Sequence, residues 1–322
     1  MPTPTISVVL ITPDTFHRLL KTIRCLQRQT IRDRLEVVIV APSVEAMGVD
    51  DHELAAFAAS KLVAIGPISA VGPGKVAGTR AATADIVAFG EDHSFPEPGW
   101  AEALERAWQD GHGAVGAVLE NANPGVLSWV DMLLNFGPHI ALTEGGARPS
   151  LAWHNTSYRR ADLLAFGDDL GRLMTVEALL QQALVAQGRT LHMEVRARTH
   201  HVNFSKLTSF LGGQFWGNRM YGDYRAIAET WSRSKRVIYA AALPLIALIR
   251  FRGALRELAR VGPPSSTRLS LLPGLLFASG LAATGEAAGY LLGRGDGERF
   301  RARYELYRAQ QVRPADRAVF EC

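Results

Sequence analysis

Cysteine is scarce in this sequence, since Cys25 and Cys322 are the only two in 322 residues. Two cysteines this far apart form neither a disulfide framework nor the paired spacing of a structural zinc site. Disulfide-stabilised small folds are thus excluded, and a reducing, cytosol-facing location is expected. With 48% hydrophobic and 20% charged residues, the chain instead predicts one large domain or two ordinary ones.

Two nucleotide-binding fingerprints are also missing. The sequence contains no P-loop motif, and no G-x-G-x-x-G stretch follows a predicted strand and opens a helix. No sequence motif therefore supports assigning this chain to the dinucleotide-dependent dehydrogenases or the P-loop NTPases.

The net charge of +4 hides an asymmetry along the chain. Residues 1–204 hold 17 Lys and Arg against 22 Asp and Glu, whereas residues 205–322 hold 18 against 9. Long apolar runs accompany the basic residues of the second part, and no series of stacking aromatics does. This pattern favours a membrane surface over nucleic acid as the partner.

Short apolar runs alternate with helical patterns in the first part of the chain. Residues 6–11, 35–40, 62–65 and 86–89 predict buried strands, because they are short apolar runs rich in β-branched side chains. Elsewhere the patterns predict helices at 53–60 and 173–186, a loop at 71–74 and a strand at 191–195. Strands that alternate with helices indicate βαβ units, and hence an α/β fold with a mostly parallel central sheet and flanking helices. Ligands of such folds bind at the carboxyl ends of the strands.

The most informative stretch is DIVAFGEDHSFPEPGW at 85–100. The predicted strand at 86–89 runs directly into Glu91, Asp92 and His93. Two carboxylates and an imidazole held together are costly unless a cation relieves their repulsion, and their atoms suit a divalent metal. The alternative is a solvated acidic turn.

The order of these features resembles family 2 glycosyltransferases of the GT-A fold. The resemblance rests on the opening strand, the helix ending in LQRQT at 26–30, the strand LEVVIV at 35–40 and the acidic triplet before PGW. It covers about residues 5–205. The family's Asp-x-Asp triplet falls on Glu91, Asp92 and His93, and Ala41-Pro42-Ser43 stands where the family often has an aspartate for the nucleoside.

The resemblance implies roles for individual residues. It implies a divalent metal, Mn²⁺ or Mg²⁺, held by Asp92, His93 and His201, with His200 as the alternative to His201. The other implied residues have three roles. They are Glu91 and Asp92 at the diphosphate of the donor, Glu177 as general base, and Trp100, His154 and Asn155 on the acceptor side. Thr12 and Lys75 are expected at the same diphosphate because both approach the strand-end edge of the predicted sheet, with an exposed loop lysine as the alternative for Lys75. Glu177 lies eleven residues before Gly188, as the family's base does before its closing glycine.

The second part of the chain predicts membrane association. Residues 237–249 and 269–285 are uncharged but shorter than the roughly 20 residues of a clean span. Residues 250–260 predict a basic amphipathic helix, and 263–266 a linker. We expect a membrane-embedded or re-entrant hairpin, with helices buried on the rest of the protein as the alternative. The expected domains are 1–205, 206–235 and 236–322.

These features together predict an inverting glycosyltransferase at the cytoplasmic face of the membrane. Its donor is a nucleotide sugar, its acceptor is lipid-linked or a polysaccharide, and nucleic acid is not a partner. A nucleotidyltransferase and an inactive membrane scaffold are the alternatives.

Overall fold

The structure, a computed structural model, describes residues 3–261, 263 and 265–321. Pro264 of the expected linker and Cys322 lie outside these residues. Strands of the described residues form one sheet in the order β3-β2-β1-β4-β8-β6-β9-β5, with β7 paired to β9. The strands are β1 (Ile6–Ile11), β2 (Leu35–Ala41), β3 (Ala59–Ala64), β4 (Ile86–Phe89), β5 (Ser94–Pro96), β6 (His112–Asn121), β7 (Gly146–Ala147), β8 (Thr156–Arg159) and β9 (Thr190–His201).

Helices flank the sheet and make up the second part of the chain. They are α1 (Leu20–Gln27), α2 (Val44–Met47), α3 (Asp51–Leu54), α4 (Val71–Ala81), α5 (Trp100–Ala107), α6 (Val126–Phe136), α7 (Arg160–Leu164), α8 (Leu170–Thr175), α9 (Glu177–Ala186), α10 (Leu207–Ala228), α11 (Arg233–Ala241), α12 (Leu243–Val261), α13 (Ser265–Leu292) and α14 (Gly297–Leu306). Short 3-10 helices cover Phe16–Leu19, Arg32–Arg34, Gly137–His139, Gly167–Asp169, Arg308–Gln310 and Pro314–Phe320.

The chain divides into two compact units, which differ from the three expected segments. The sheet unit comprises residues 3–120, 141–201 and 320–321 of those described, and the helical unit comprises 121–140 and 202–319. Residues 121–140 join the helical unit because α6 packs against α12 and α13. The sequence places α6 between strands, so its tertiary partners could not be read from its position.

The sheet has a parallel half and an antiparallel half. Strands β3, β2, β1 and β4 pair in parallel, as the apolar runs predicted. The side chains of β1 and β2 are buried on both faces of the sheet, which explains why apolar and polar residues do not alternate along these strands. Strand β8 then pairs antiparallel with both β4 and β6, and β5 and β7 pair antiparallel with β9.

Two antiparallel pairings gather residues at the carboxyl end of β4. Ala88 of β4 pairs with Ser157 of β8, so the residues that follow β4 lie beside those that precede β8. Strand β9 was expected to end at 195 but continues to His201, which pairs with Ser94 of β5. The turn that leaves β4 is therefore enclosed by β8 on one side and β9 on the other.

Helix α4 begins at Val71, so the predicted loop at 71–74 is wrong. Its glycines allow close contact with neighbouring elements. A Cβ on Gly72 would lie 2.2 Å from Thr175 Oγ1, and a Cβ on Gly78 would lie 2.3 Å from Val9 Cγ1. Glycines often indicate a loop in a sequence, but here they allow helix α4 to pack tightly against α8 and β1.

The helix expected at 173–186 is two helices, because the backbone leaves the helical region at Val176 with φ −130° and ψ 85°. Helix α8 ends at Thr175 and α9 begins at Glu177. The break places Glu177 at the first position of α9, with its side chain 1% exposed.

Glycines also set the packing of α10 on α13 in the helical unit. A Cβ on Gly222 would lie 2.4 Å from the Glu286 carbonyl oxygen, on Gly285 2.3 Å from that of Phe215, and on Gly289 2.1 Å from that of Arg219. The backbones of the two helices therefore touch. Glu286 is buried beside them, and its carboxylate accepts hydrogen bonds from Arg250 at 2.7 Å and from the Tyr290 hydroxyl at 2.5 Å.

By length and composition, one helix of the described chain could cross a membrane. It spans Ser266–Leu292, and its most apolar window is 56% buried within the protein. Helices α11 and α12 pass the same test only as a pair, and they are bent by 58° with respect to each other. The buried core helix of a soluble protein passes the same test.

Candidate active site

The Glu91 carboxylate lies at the centre of a cluster of histidines just beyond β4. Thr22 Oγ1 donates to the Glu91 carbonyl oxygen at 2.7 Å, and Ser94 Oγ donates to Glu91 Oε2 at 3.1 Å. Two imidazoles approach the same carboxylate closely: His93 Nε2 lies 3.3 Å from Oε2, and His154 Nδ1 lies 3.1 Å from Oε1. Both the backbone and the side chain of Glu91 are therefore fixed.

Asp92 orients His93. The Asp92 Oδ1 atom lies 2.7 Å from His93 Nδ1, on the opposite side of the ring from Glu91. When Nδ1 carries the ring proton, it donates a hydrogen bond to Asp92. The Nε2 lone pair then faces the lone pairs of the Glu91 carboxylate. This arrangement is stable only with a positive charge between the two groups, either a proton or a cation.

His201 and His154 complete the cluster from two different strands. His201 is the last residue of β9, and its Nε2 lies 3.8 Å from Glu91 Oε2. His154 precedes β8 and stacks on His201, with ring centroids 4.6 Å apart and planes inclined by 5°. The ring of His93 meets that of His201 edge-on at 5.1 Å. Each of these three imidazoles is buried.

The cluster has the donor set of a divalent metal site. Ligand atoms of Glu91, His93 and His201 all lie within 4.8 Å of one another. Burial alone would raise the pKa of Glu91, but the imidazoles of His154, His93 and His201 outweigh it and hold that pKa well below its ordinary value. An ionised carboxylate and two convergent imidazoles fit a divalent ion.

The structure brings Glu91 rather than Asp92 into this group of candidate ligand atoms. Asp92 was expected to be a ligand, but its carboxylate instead contacts the far nitrogen of His93. His154 was expected on the acceptor side, and it lies against Glu91. No sequence pattern indicates this position of His154, because it depends on β8 inserting antiparallel between β4 and β6.

A second charged pair flanks the same end of β4. Lys75 Nζ of α4 lies 3.1 Å from Glu177 Oε2 at the start of α9. The Lys75 ammonium also lies 5.4 Å from the centre of the Phe89 ring, on the last residue of β4. Burial, followed by the nearby Glu177 carboxylate, raises the pKa of Tyr158 well above its ordinary value, so its hydroxyl stays protonated.

Three expected site residues serve the fold instead. The Thr12 hydroxyl is buried and donates to the Thr15 carbonyl oxygen at 2.9 Å, closing the turn after β1. Trp100 is 1% exposed and belongs to the main hydrophobic core, so its indole does not reach an acceptor surface. His200 points away from His201 because side chains alternate along a strand, and it pairs with Glu97 at 3.1 Å.

Asn155 has a structural function that the sequence did not indicate. Its φ is +56°, a left-handed conformation that asparagine tolerates better than most residues. Its backbone N–H donates to the Phe89 carbonyl oxygen at 2.8 Å. Asn155 thereby turns the chain into β8 and holds the adjacent His154 beside the end of β4.

No family model and no curated protein sequence matches this chain. Among solved structures, it is similar to the mannosyltransferase PcManGT from Pyrobaculum calidifontis in complex with GDP-Man and Mn²⁺. The TM-score is 0.51 at 15% identity, over 94% of this chain and 87% of that chain. The chain has the fold of this mannosyltransferase. The predicted α/β fold of the glycosyltransferase type is thus confirmed.

Two further structures have lower scores. TarS 1–349 from S. aureus in complex with UDP has a TM-score of 0.48 at 11% identity, over 90% of this chain and 92% of that chain. GalNAc-T7 with UDP, GalNAc and Mn²⁺ has a TM-score of 0.49 at 14% identity, over 62% of this chain and 43% of that chain.

Proposed function

We propose that this protein is a metal-dependent glycosyltransferase that uses a nucleotide-sugar donor. The observation that carries the proposal is the buried cluster of Glu91, His93 and His201 at the carboxyl end of β4. In α/β folds this edge of the sheet is where ligands bind. The mannosyltransferase of the same fold holds GDP-Man and Mn²⁺ in its crystal structure, which supports a diphosphate and a metal as the ligands here.

The residues of the cluster have two roles in binding the donor: some bind the metal, and others hold the metal ligands in place. Glu91, His93 and His201 hold a divalent cation, while Asp92 and His154 hold the ligands in place. When bound, the cation supplies positive charge to the diphosphate that leaves with the nucleoside. Lys75 adds a second positive charge on the other side of β4.

Glu177 is the general base in this proposal. Its carboxylate takes the proton of the acceptor hydroxyl as that oxygen attacks the anomeric carbon, and the sugar–phosphate bond breaks in the same step. The configuration at the anomeric carbon is inverted because there is a single displacement. The proton ends on Glu177, and the electron pair of the broken bond leaves with the nucleoside diphosphate.

The products of the reaction test this proposal. Purified protein, a panel of nucleoside-diphosphate sugars, a divalent metal and a membrane lipid extract should yield free nucleoside diphosphate and a glycosylated lipid or polysaccharide. Phosphorus NMR distinguishes nucleoside diphosphate from pyrophosphate, which a nucleotidyltransferase would release. A folded protein that releases neither product with any donor would favour an inactive scaffold and contradict the proposal.

We further propose that the reaction takes place at the cytoplasmic face of a membrane, on a lipid-linked or polysaccharide acceptor. Large apolar side chains exposed on the helical unit support this location. Among the described residues of α11, α12 and α13, these exposed side chains are Val237 and Ile238 of α11, Leu245, Leu248 and Ile249 of α12, and Leu269, Leu276, Phe277, Leu291 and Leu292 of α13.

The exposed apolar residues of α12 form one stripe, because Leu245, Leu248 and Ile249 recur at helical spacing. On α11, Val237 and Ile238 are adjacent exposed residues, and Ile238 is 65% exposed. On α12 the apolar positions lead into exposed Arg252 and Arg256. An apolar stripe with basic ends is typical of helices that lie in the plane of an anionic lipid surface.

Vesicle flotation tests this location. Burial of a Val or Ile side chain is worth about 1.5–3 kcal/mol. The double variant Val237→Glu/Ile238→Glu should therefore bind vesicles containing phosphatidylglycerol at least about tenfold more weakly than the unmodified protein. Val126→Glu, at an exposed apolar position on α6, is the matched control and should bind normally. Equal binding by the double variant and the unmodified protein would contradict the proposed surface.

A further inference from the structure

We infer that the Glu91–His93–His201 cluster selects a transition-metal ion that binds imidazole, of the Zn²⁺ or Co²⁺ class, and discriminates against Mg²⁺. The inference rests on the proposed function only in assuming that this cluster holds a metal. Its basis is the composition of the ligand set, in which two of three ligands are nitrogen atoms.

The ligand atoms converge on one side of the Glu91 carboxylate. Both His93 Nε2 and His201 Nε2 approach Oε2, at 3.3 Å and 3.8 Å. The other oxygen, Oε1, is held by His154 Nδ1 at 3.1 Å. One carboxylate oxygen and two imidazole nitrogens therefore lie close enough together to share one ion.

Outer contacts fix each of these ligands. Asp92 contacts the far nitrogen of His93, and His154 stacks on His201 while it contacts Glu91. A carboxylate on the far nitrogen of a metal-binding histidine sets its tautomer and increases its basicity. The contact of Asp92 with His93 is therefore suited to imidazole coordination.

Magnesium fits this set poorly. It prefers an octahedron of oxygen atoms and keeps much of its hydration, whereas imidazole suits Zn²⁺, Co²⁺ and related ions. The two imidazole ligands are buried, since His93 and His201 are 1% and 0% exposed, and this leaves little room beside them for several retained waters. Exchanging an imidazole ligand for an oxygen ligand is thus expected to change which metal ion the site binds.

Titration calorimetry of the full-length protein with Zn²⁺, Co²⁺, Mn²⁺ and Mg²⁺ tests the inference without any sugar substrate. We expect tight binding of Zn²⁺ and Co²⁺, weaker binding of Mn²⁺ and no measurable binding of Mg²⁺. The visible absorption of bound Co²⁺ provides a second readout, because it responds to the ligands themselves. It should change in His93→Ala and His201→Ala and stay the same in His200→Ala, the adjacent exposed imidazole.

Two variants sharpen the test. His93→Asp exchanges nitrogen for oxygen and should weaken Zn²⁺ binding while making Mg²⁺ binding measurable. Asp92→Ala removes only the outer contact to His93 and should lower Zn²⁺ affinity about 10- to 100-fold. Circular dichroism and thermal melting of each apo variant separate loss of ligands from loss of folding.

The outcomes separate this inference from the proposed function. Mg²⁺ bound as tightly as Zn²⁺ by the unmodified protein, or Zn²⁺ binding unaffected by His93→Ala and His201→Ala, would overturn the inference. Zn²⁺ selectivity in a protein that transfers no sugar would support the inference and contradict the proposed function alone.

Discussion

Replacement of Glu177 by Gln is expected to lower kcat for sugar transfer by about 10²- to 10⁴-fold, the usual contribution of a general base. Glutamine has nearly the same shape as glutamate but cannot take the proton of the acceptor hydroxyl. Donor binding should be nearly unchanged, because the donor is held mainly by the cluster around Glu91. Transfer rates at saturating donor, with donor affinity measured by calorimetry, test both statements.

Two controls keep this result interpretable. Glu177 is buried beside Lys75, so the loss of its charge leaves an ammonium whose partner has gone, and folding must be checked by thermal melting. Glu194→Gln removes a carboxylate that pairs with Arg196, and it should leave transfer intact. A Glu177→Gln protein that is folded and turns over at the rate of the unmodified enzyme would exclude Glu177 as the base.

The second large effect concerns stability. Gly289→Ala should destabilise the protein by about 1–3 kcal/mol, as overpacking of a well-packed interior does. The added Cβ would lie 2.1 Å from the Arg219 carbonyl oxygen and 2.9 Å from the Asp223 nitrogen. Both are backbone atoms of α10, so the two helices must move apart to accommodate it.

Gly280→Ala, in the same helix, is the matched control. No atom lies within 4 Å of a Cβ at this position among the described residues. Alanine in a helix interior is favoured over glycine by about 0.5–1 kcal/mol, so this variant should be slightly more stable. Chemical denaturation measures both changes. Equal effects of the two substitutions would show that close contact between α10 and α13 does not determine the stability.

Strands that are almost wholly buried were predictable from the sequence. Residues 6–11, 35–40 and 86–89 are apolar except for Ser7 and Glu36, and the structure has β1, β2 and β4 there. Helix α6 at Val126–Phe136 also follows its periodicity. Sequence patterns predicted the wrong secondary structure where tertiary contacts determine the local backbone conformation. The run of glycines at 72–78 forms a helix, residues 59–60 belong to β3 rather than to a helix, and the backbone break at Val176 leaves no trace in the spacing.

The candidate site was predictable in part. The acidic triplet after a predicted strand and the family resemblance together indicated Glu91 at the diphosphate and His93 and His201 at the metal. The position of His154 depends on the order of strands in the sheet, which short-range patterns do not contain. Trp100 was misassigned because a tryptophan after a site motif has the same appearance whether it packs in the core or contacts a sugar.

Metal-dependent binding of a nucleotide sugar tests the central claim most directly. The measurement is a calorimetric titration of the detergent-solubilised protein with a panel of nucleoside-diphosphate sugars, with Zn²⁺ or Mn²⁺ and then with a chelator. We predict that at least one donor binds only when metal is present, and that Glu91→Gln abolishes this binding while the protein remains folded. Absence of binding across the panel, or binding of the same strength with chelator and in Glu91→Gln, would contradict the claim.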